Sequence, residues 1–301
     1  MAAMTKRDRG LGLRRSIAAF VLCGFISTLG IVRAQELDPA IGSADAPTDA
    51  SAETPAQTSS TRPATVAPAG QDERDVLERT LFTNFVQDQK DMWLFPTKYS
   101  HENHWLPTIV VVGVTAGLLA MDAHDEPYFR QTRTFNDFNG AFASNITMSE
   151  VLMAPVSFYA VGFLDKDAYT RKTGLLAGEA VADVTILSEV IKAVARQTRP
   201  KAIPPYGNFS DTFFNSKGDP LSSGFPSGHT ISAFAVATVI AHRYRQHRWV
   251  PFVAYSAAAL IGFSRITAQA HFPSDVFLGG ALGFAVAQFD VLHAPAFGLE
   301  Q

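Results

Sequence analysis

Six apolar stretches recur along the chain and constrain its fold more than any other feature. They cover residues 107–121, 148–164, 174–195, 231–241, 249–263 and 276–292. Apolar runs of this length are typical of helices rather than of strands. We therefore predict an all-α protein in which these segments form a helical bundle, and we look for function in the polar motifs between them.

The segment from Lys192 to Pro200 carries two cations at helical spacing. Lys192 and Arg199 are seven residues apart, or two helical turns, so both would project from one face of a helix that Pro200 ends. A guanidinium binds an oxyanion through two hydrogen bonds, and an ammonium adds a compact charge. The pair predicts a phosphate-binding face, with a solvated basic face as the simpler alternative.

A Pro-Ser-Gly-His motif at residues 226–229 runs directly into the apolar stretch from Ile231 to Ala241. A loop that enters a helix here places free backbone N–H groups and the positive end of the helix dipole beside Gly228. Ser227 adds a hydroxyl, and His229 adds a group that exchanges a proton near neutral pH. The motif favours an anion site, although taken alone it is more often a helix cap followed by a surface histidine.

Arg265, His271 and Asp275 complete the set of polar motifs. The carboxylate follows the imidazole by four residues and can hold its Nδ1–H, which leaves Nε2 free as a nucleophile. Pro273 lies between them, so the sequence leaves open whether they meet along a helix or through a turn. Three cations and a helix N-terminus together suit the charge that phosphoryl transfer spreads over three equatorial oxygens.

The pattern Lys-x6-Arg-Pro, Pro-Ser-Gly-His and Ser-Arg-x5-His-x3-Asp resembles the signature of the type 2 phosphatidic acid phosphatase / vanadium haloperoxidase superfamily. All signature residues match without substitution. The match covers residues 192–275 directly, and by extension the helical region from about Trp105 to His293. The resemblance implies a helical bundle of that superfamily's kind and a phosphoric ester hydrolase of the acid phosphatase or lipid phosphate phosphatase type.

Carried over position by position, the resemblance also implies roles for the site residues. His271 would attack phosphorus to form a phosphohistidine, Asp275 would orient it, and His229 would protonate the leaving oxygen and later activate water. In the superfamily this chemistry needs no metal and no cofactor, and the substrate would be a phosphorylated lipid or a small phosphate ester. Five residues would hold the phosphoryl oxygens, namely Lys192, Arg199, Ser227, Gly228 and Arg265.

Two functions of other classes stay open. A vanadate-dependent haloperoxidase would use the same cage with His271 bound to vanadium, but such enzymes are commonly much longer and nothing in the sequence marks a halide site. A non-catalytic module that binds phosphate or lipid would not need His229, His271 and Asp275 together. The sequence does not choose among phosphatidate, undecaprenyl pyrophosphate, phosphatidylglycerophosphate and soluble monoesters as the substrate.

The chain is predicted to have three parts. Residues 1–34 combine a basic start, an apolar run and a final Arg-Ala, which is typical of a secretory signal peptide, with an uncleaved signal anchor as the alternative. The one cysteine, Cys23, lies in this part. Residues 35–71 contain no aromatic residue and predict a disordered linker. Residues 72–301 form the helical phosphatase domain, whose first helix is expected to end near Pro96.

The charge balance argues against one class of partner. Removal of residues 1–34 would take away six basic residues and one acidic residue, leaving 19 positive and 27 negative side chains and a net charge of −8. Nucleic acids require a broad basic surface on their protein partner. Nucleic-acid binding is therefore not expected.

Membrane association is expected on the periplasmic side after export, but its form is left open. The stretch from Pro107 to Met121 is the most hydrophobic of the mature chain and barely long enough to span a bilayer, which needs about 20 apolar residues. The mean hydropathy of +0.07 slightly favours a globular or membrane-apposed domain. So do five acidic residues on the apolar stretches, since lipid-facing carboxylates are costly: Glu150, Glu179, Asp183, Glu189 and Asp290. For Glu179, Asp183 and Glu189 we expect a water-facing helix surface rather than counter-charges for the site.

The basic loop at residues 242–248 gives an expectation for topology. The positive-inside rule places this loop in the cytoplasm and the site, at the opposite helix ends, outside. Counting crossings from an exported segment before residue 105 instead places Arg199 inside. Either one of the apolar stretches does not span, or the domain does not span at all.

Two local features complete the sequence-based predictions. The acidic cluster at residues 122–126 fits no metal-ligand spacing, so we expect a solvated helix end. The loop between Pro200 and Pro226 is predicted to cover the pocket and contact the leaving group, with a minor aromatic core as the alternative. Its aromatic residues are Tyr206, Phe209, Phe213, Phe214 and Phe225, and they lie beside Lys201, Lys217 and Asp219.

Overall fold

The computed structural model describes residues 78–98, 105–214 and 222–292. The predicted signal peptide and linker lie outside these residues, as do Lys217, Asp219 and His293. Within the described part all regular secondary structure is helical, which confirms the all-α prediction. The helices are α1 Leu81–Lys98, α2 Trp105–Gln131, α3 Asn136–Ala141, α4 Ser144–Leu164, α5 Ala168–Ala195, α6 Gly228–Arg243, α7 Trp249–Thr267 and α8 Pro273–Ala285, which continues as a π-helical turn over Val286–Val291.

Helix α6 lies at the centre of the bundle and packs against α5, α7 and α8. Small residues allow this close packing. A side chain on Gly283 would lie only 2.2 Å from the Ile231 carbonyl oxygen, so only glycine lets α8 approach α6 this closely. The core beside this contact is aliphatic and includes Leu176, Val184 and Val239. Close packing of α6 and α8 fixes the relative positions of their N-terminal ends.

Helix α5 ends earlier than the sequence predicted. Its last residue is Ala195, and Arg196 adopts the left-handed conformation with φ 45° while its N–H donates to the Lys192 carbonyl. The chain beyond is held by main-chain hydrogen bonds, in which Thr198 N donates to Thr212 O at 2.9 Å. The prediction that Lys192 and Arg199 share one helical face is therefore wrong, because Arg199 lies in the extended segment after the helix.

The acidic cluster at residues 122–126 is also not a solvated helix end. Helix α2 continues through it, and Asp122 and Glu126 are buried. Asp122 accepts hydrogen bonds from the Ser274 N–H at 3.3 Å and from the Ser274 hydroxyl, and so ties α2 to the start of α8. Among the described residues no group of three or more His, Cys, Asp or Glu side chains is placed to hold a metal ion.

Arg130 extends the contact between α2 and the segment after Arg199. Its guanidinium pairs with Glu126 at 3.1 Å and donates to the Pro200 carbonyl at 2.6 Å and the Ile203 carbonyl at 2.8 Å. Helix α2 thus supplies donors to two main-chain carbonyls of the segment after Arg199. The C-terminal end of α2 therefore belongs to the same end of the bundle as Pro200.

Two of the three acidic residues on α5 are not on a water-facing surface. Glu179 and Asp183 are buried, and Gln89 of α1 donates to Asp183 Oδ1 at 3.0 Å. The expectation of a water-facing surface is therefore wrong for these two residues. Glu189 is partly exposed and pairs with Lys192 Nζ at 2.6 Å, so for Glu189 the counter-charge alternative describes the structure.

Three helices in the described part of the chain are long and apolar enough to cross a membrane, judged by length and composition. They cover Leu106–Arg130, Ser144–Leu164 and Trp249–Thr267. The first presents a largely unpacked apolar surface, with Leu106, Ile109, Val110 and Val112 all more than half exposed. Contiguous exposed apolar surface of this kind is typical of a protein or membrane interface.

Candidate active site

The predicted site residues come from different elements but lie at one end of the bundle, because successive helices alternate in direction. Helices α5 and α7 contribute their C-terminal ends, and α6 and α8 contribute their N-terminal ends. Lys192 lies in the last turn of α5, His229 in the first turn of α6, Arg265 in the last turn of α7 and Asp275 in the first turn of α8. Arg199, Ser227 and His271 lie in the connecting segments.

His271 is held by a main-chain carbonyl as well as by a carboxylate. Its Nδ1 lies 2.7 Å from the Gly224 carbonyl oxygen and 3.5 Å from Asp275 Oδ2. Because a carbonyl only accepts, Nδ1 carries the proton and Nε2 is the basic nitrogen. The sequence predicted Asp275 as the partner of Nδ1. It did not identify Gly224, which is the nearer acceptor and shows no sequence signal beyond its place just before the Pro-Ser-Gly-His motif.

Asp275 has a second structural task. Its Oδ2 accepts from the Phe272 N–H at 2.8 Å, so the carboxylate caps the N-terminus of α8. Phe272 is the N-cap residue and directly follows His271 in the chain. Pro273 begins the helix rather than breaking it, and the imidazole and carboxylate meet across the turn that leads into α8.

Burial shifts the protonation of both groups. Burial lowers the pKa of His271 well below 6.5, and the nearby charges of Arg199, Lys192 and Arg265 lower it further. Burial also raises the pKa of Asp275 to about 7, against the opposing effects of the Phe272 N–H, the Gln197 side chain and the Arg199 charge. His271 is therefore a neutral imidazole at neutral pH, the form that can act as a nucleophile.

His229 is anchored to the start of α4. Its Nε2 lies 2.9 Å from the Ser144 carbonyl oxygen. Burial lowers the pKa of His229 to about 4, and the charge of Arg265 lowers it further despite this hydrogen bond. Ser144 also accepts from Arg265 Nη1 through its hydroxyl. The start of α4 thus positions two site residues, and nothing in its sequence marked it for that role.

The cations are held rigidly by main-chain and hydroxyl groups. Arg265 is buried and also donates to the Phe142 carbonyl and the Ser264 hydroxyl. Arg199 donates from Nε to the Ser222 carbonyl at 3.0 Å and from Nη2 to the Ser223 carbonyl at 3.3 Å. Fixed guanidinium groups lose little side-chain entropy when they bind an anion.

The Pro-Ser-Gly-His motif forms a capped helix start beneath Lys192. The Ser227 hydroxyl accepts from the Thr230 hydroxyl at 2.9 Å and from the Thr230 N–H at 3.5 Å. A Cβ on Gly228 would lie 3.3 Å from Lys192 Nζ, so the ammonium lies directly beside the first turn of α6. The helix cap is therefore present, and a cation lies beside the same helix N-terminus.

The aromatic residues of the loop after Pro200 divide into packed and exposed rings. Phe213 and Phe225 pack edge to face at 5.2 Å, and the Arg130 guanidinium lies over the Phe209 ring at 5.1 Å. Tyr206 and Phe214 are exposed. Part of the loop thus forms the minor aromatic core considered as an alternative, while its covering role stays a prediction.

Comparison with known proteins connects this architecture with one family. The sequence model of the PAP2 superfamily matches residues 173–294, which include all the predicted site residues. The lipid A 1-phosphatase of Rhizobium etli is 37% identical over 102 residues, or 33% of this chain and 40% of that protein. The lipid A 1-phosphatase of Porphyromonas gingivalis is 38% identical over 181 residues, or 58% of this chain and 36% of that protein.

A solved structure is also similar. It is described as the crystal structure of the first transmembrane PAP2 type phosphatidylglycerolphosphate phosphatase from Bacillus subtilis, with a TM-score of 0.38, 18% identity and coverage of 69% of this chain and 91% of that one. Residues 173–294 of the chain are therefore similar to the PAP2 superfamily. The chain spans 40% and 36% of the length of the two curated relatives.

Proposed function

We propose that the protein is a phosphatase that hydrolyses a phosphomonoester or pyrophosphate, most directly a lipid phosphate, through a phosphohistidine intermediate and without a metal. The observation that carries this proposal is the state of His271. The imidazole is buried and neutral, its Nδ1–H is directed to Gly224 O, and its Nε2 keeps a lone pair within the field of three cations. A helix cap or a structural histidine does not require this combination.

In the first step His271 Nε2 attacks phosphorus while the bond from phosphorus to the leaving oxygen breaks. Lys192, Arg199 and Arg265 stabilise the charge on the equatorial oxygens, together with the N-terminus of α6. His229 gives a proton to the leaving oxygen. In the second step water attacks phosphorus, His229 accepts a proton from that water, and His271 leaves as a neutral imidazole.

His229 requires a bound anion to become an acid. Its pKa of about 4 reflects burial and the surrounding positive charge, and a phosphate dianion in the cage offsets that charge. Substrate binding therefore raises the pKa of His229 toward the working pH. This coupling protonates the general acid at the time when a leaving group is present.

The relatives' names and the exposed apolar helices both favour a lipid substrate. The two curated relatives are lipid A 1-phosphatases, and three helices in the described part of this chain are long and apolar enough to enter a bilayer. A soluble monoester would not require such a surface. We propose an integral membrane or membrane-associated protein whose site faces the periplasm, with residues 1–34 as a signal peptide or anchor and residues 35–71 as a linker before the domain at 72–301.

A phosphate-release screen after membrane fractionation tests this proposal. The wild-type chain should be found in the membrane fraction and release phosphate from phosphorylated lipids, and His271→Ala should lose at least about 10³-fold in kcat. His247→Ala is the matched control, because this histidine is exposed in the loop at the other end of the bundle. Failure of wild-type protein to hydrolyse any phosphate ester, or halide oxidation after addition of vanadate, would contradict the phosphatase proposal.

A further inference from the structure

Two complementary polar groups are buried side by side next to His271. Gln197 and Asp275 are each at most 1% exposed. Among the described residues, both polar atoms of the Gln197 side chain and Asp275 Oδ1 are buried without a hydrogen bond of normal geometry. An unsatisfied buried donor or acceptor is costly, so an amide and a carboxylate oxygen in this position are expected to pair.

Both side chains meet at Gly224, whose carbonyl holds His271. A Cβ on Gly224 would lie 2.8 Å from Gln197 Oε1 and 3.3 Å from Asp275 Oδ2. A larger residue at position 224 would therefore displace the end of the Gln197 side chain. The amide and the carboxylate therefore both lie against Gly224, the residue whose carbonyl oxygen holds His271.

The main chain of Gln197 also holds this segment. Its carbonyl accepts from the Gly224 N–H at 2.9 Å, and its N–H donates to the Ser223 hydroxyl at 2.9 Å. Gln197 therefore contacts Gly224 through its backbone, and its side chain lies beside Asp275. The Gly224 carbonyl and the Asp275 carboxylate are the two acceptors that face His271 Nδ1.

We propose that Gln197 is a positioning residue: its Nε2–H donates to Asp275 Oδ1, and its backbone fixes the Gly224 carbonyl. Both acceptors of the His271 Nδ1–H then keep their places during phosphoryl transfer. The inference rests on the proposed function, since it assigns Gln197 a task at the same site. Gln197 lies between Lys192 and Arg199 and belongs to none of the motif positions on which the family resemblance rests.

The proposal has an electrostatic consequence. Burial raises the pKa of Asp275 to about 7, and the Gln197 side chain opposes that rise. Loss of the amide donor should raise the pKa further, so that Asp275 takes up a proton at a higher pH. A residue that only filled space would not change the pH at which activity is lost.

The first experiment compares Gln197→Met with wild type in the full-length protein, using kcat and KM across pH with a phosphorylated lipid and a small aryl phosphate. Methionine keeps the length of the side chain but removes its donor. We expect kcat to fall about 10–100-fold with little change in KM. The acidic limb of the kcat/KM profile should move to higher pH. If the acidic limb of the kcat/KM profile stays at the same pH, the proposal is overturned.

Gln89→Met is the matched control. Gln89 also donates to a buried carboxylate, Asp183 Oδ1, but on α1 and α5 away from the site. It should leave kcat and the pH profile as in wild type. If both variants shift the profile equally, a general loss of packing explains the effect and the proposal is overturned. If Gln197→Met does not fold, Gln197→Glu serves instead, because a second carboxylate must raise the Asp275 pKa and move the same limb in the same direction.

A double-mutant cycle tests the contact without using activity. The free energy of unfolding is measured for Gln197→Met, Asp275→Asn and the double variant. A hydrogen bond between the two side chains predicts clear non-additivity, and additive effects would contradict it. A wild-type protein without phosphatase activity would refute the proposed function alone, since this cycle would still decide whether Gln197 and Asp275 are paired.

Discussion

At the scale of single residues, burial sets the chemistry of the site. It lowers the pKa of His271 and raises the pKa of Asp275, because a buried environment disfavours the charged form of either group. The imidazole is thereby kept neutral and nucleophilic. The carboxylate becomes a strong acceptor only when it ionises, at about pH 7.

Asp275→Asn should separate stability from activity. The pKa of Asp275 is higher in the folded protein than the unfolded value of 3.8, so its contribution to stability is present below about pH 4 and is lost as the pH rises through about 7. Replacement should therefore raise the free energy of unfolding at pH 8 by roughly 1–4 kcal/mol and change it little at pH 4. Chemical denaturation at both pH values measures this.

The same variant should lose most of its kcat, because a neutral amide is a weaker partner for an imidazole that becomes positive on attack. The pH profile of the wild-type kcat/KM should fall below about pH 7 as Asp275 takes up its proton. A destabilised Asp275→Asn protein at pH 8, or a fully active one, would contradict the role of burial described here.

Glu189→Gln should strengthen phosphate binding. Glu189 holds Lys192 Nζ at 2.6 Å and so competes with a bound phosphoryl group for the same ammonium. Removal of the negative charge should lower the inhibition constant of inorganic phosphate by about 3–10-fold, and less at high salt, because the carboxylate is partly exposed. Competitive inhibition assays at two ionic strengths measure the change.

Glu78→Gln is the matched control for that substitution. Glu78 pairs with Arg171 at 3.4 Å near the first turn of α5, at the opposite end from Lys192. It should leave phosphate inhibition unchanged. Weaker phosphate binding in Glu189→Gln would mean that Glu189 orients Lys192 rather than competes for it.

At the scale of elements, helix ends are connected by hydrogen bonds to side chains that take no part in the proposed reaction. Asp122 of α2 accepts hydrogen bonds from the N–H and the hydroxyl of Ser274, which precedes Asp275 on α8. Asp122→Ala should therefore lower the unfolding free energy by about 1–3 kcal/mol and reduce kcat with little effect on KM. Thermal unfolding and steady-state kinetics test both parts.

Asp125→Ala is the control on the same helix, and it should change neither quantity appreciably, because Asp125 does not hold the start of α8. Equal kinetic effects from both substitutions would show that the position of α8 does not depend on Asp122. The comparison therefore distinguishes a specific tie between two helices from a general effect of removing an acid from α2.

The sequence predicted the all-helical fold correctly, because apolar runs and capping residues are local signals. It failed where a tertiary contact overrides the local pattern. Helix α5 ends at Ala195 because Arg196 turns the chain toward partners such as Thr212, and Asp122 is buried because Ser274 lies beside it. The Gly224 carbonyl was missed for the same reason, since a main-chain acceptor leaves no trace in the residue type.

At the scale of the whole molecule, the bundle has a site end and a far end. Asp122 and Arg130 place the C-terminal part of α2 at the site end, so Leu106 lies about 24 Å further along the helix, toward the far end. The loop at residues 242–248 joins α6 to α7 at that far end. If α2 crosses a bilayer, the start of α2 and the basic loop therefore lie on the same side of it.

The orientation of α2 bears on the conflict between the positive-inside rule and the count of membrane crossings. If α2 spans the bilayer, a site on the outside requires the start of α2 to lie in the cytoplasm. An exported segment immediately before residue 105 would instead place that start on the outside. The far-end position of the basic loop agrees with the positive-inside rule. We therefore expect the site end to face the periplasm and the loop to face the cytoplasm, which with an exported linker requires that α2 does not span the bilayer.

Cysteine labelling measures this orientation. Cys23 is the only cysteine, so Cys23→Ser gives a background without thiols. Tyr206→Cys lies at the site end and Arg245→Cys in the basic loop, both at exposed positions. An impermeant maleimide applied to intact cells with a permeabilised outer membrane should label residue 206 but not residue 245. The reverse pattern would place the site in the cytoplasm, and labelling of both would indicate that the domain does not span.

The central claim is that His271 carries the phosphoryl group between the two steps, and trapping that intermediate tests it most directly. Wild-type protein quenched during turnover of a ³²P-labelled substrate should retain label that is stable in base and released by acid, as expected for a phosphohistidine. The label should map to the peptide that contains His271 and be absent in His271→Ala but present in His247→Ala. Hydrolysis by wild-type protein without labelled enzyme under rapid quench, or a label retained in His271→Ala, would contradict the account.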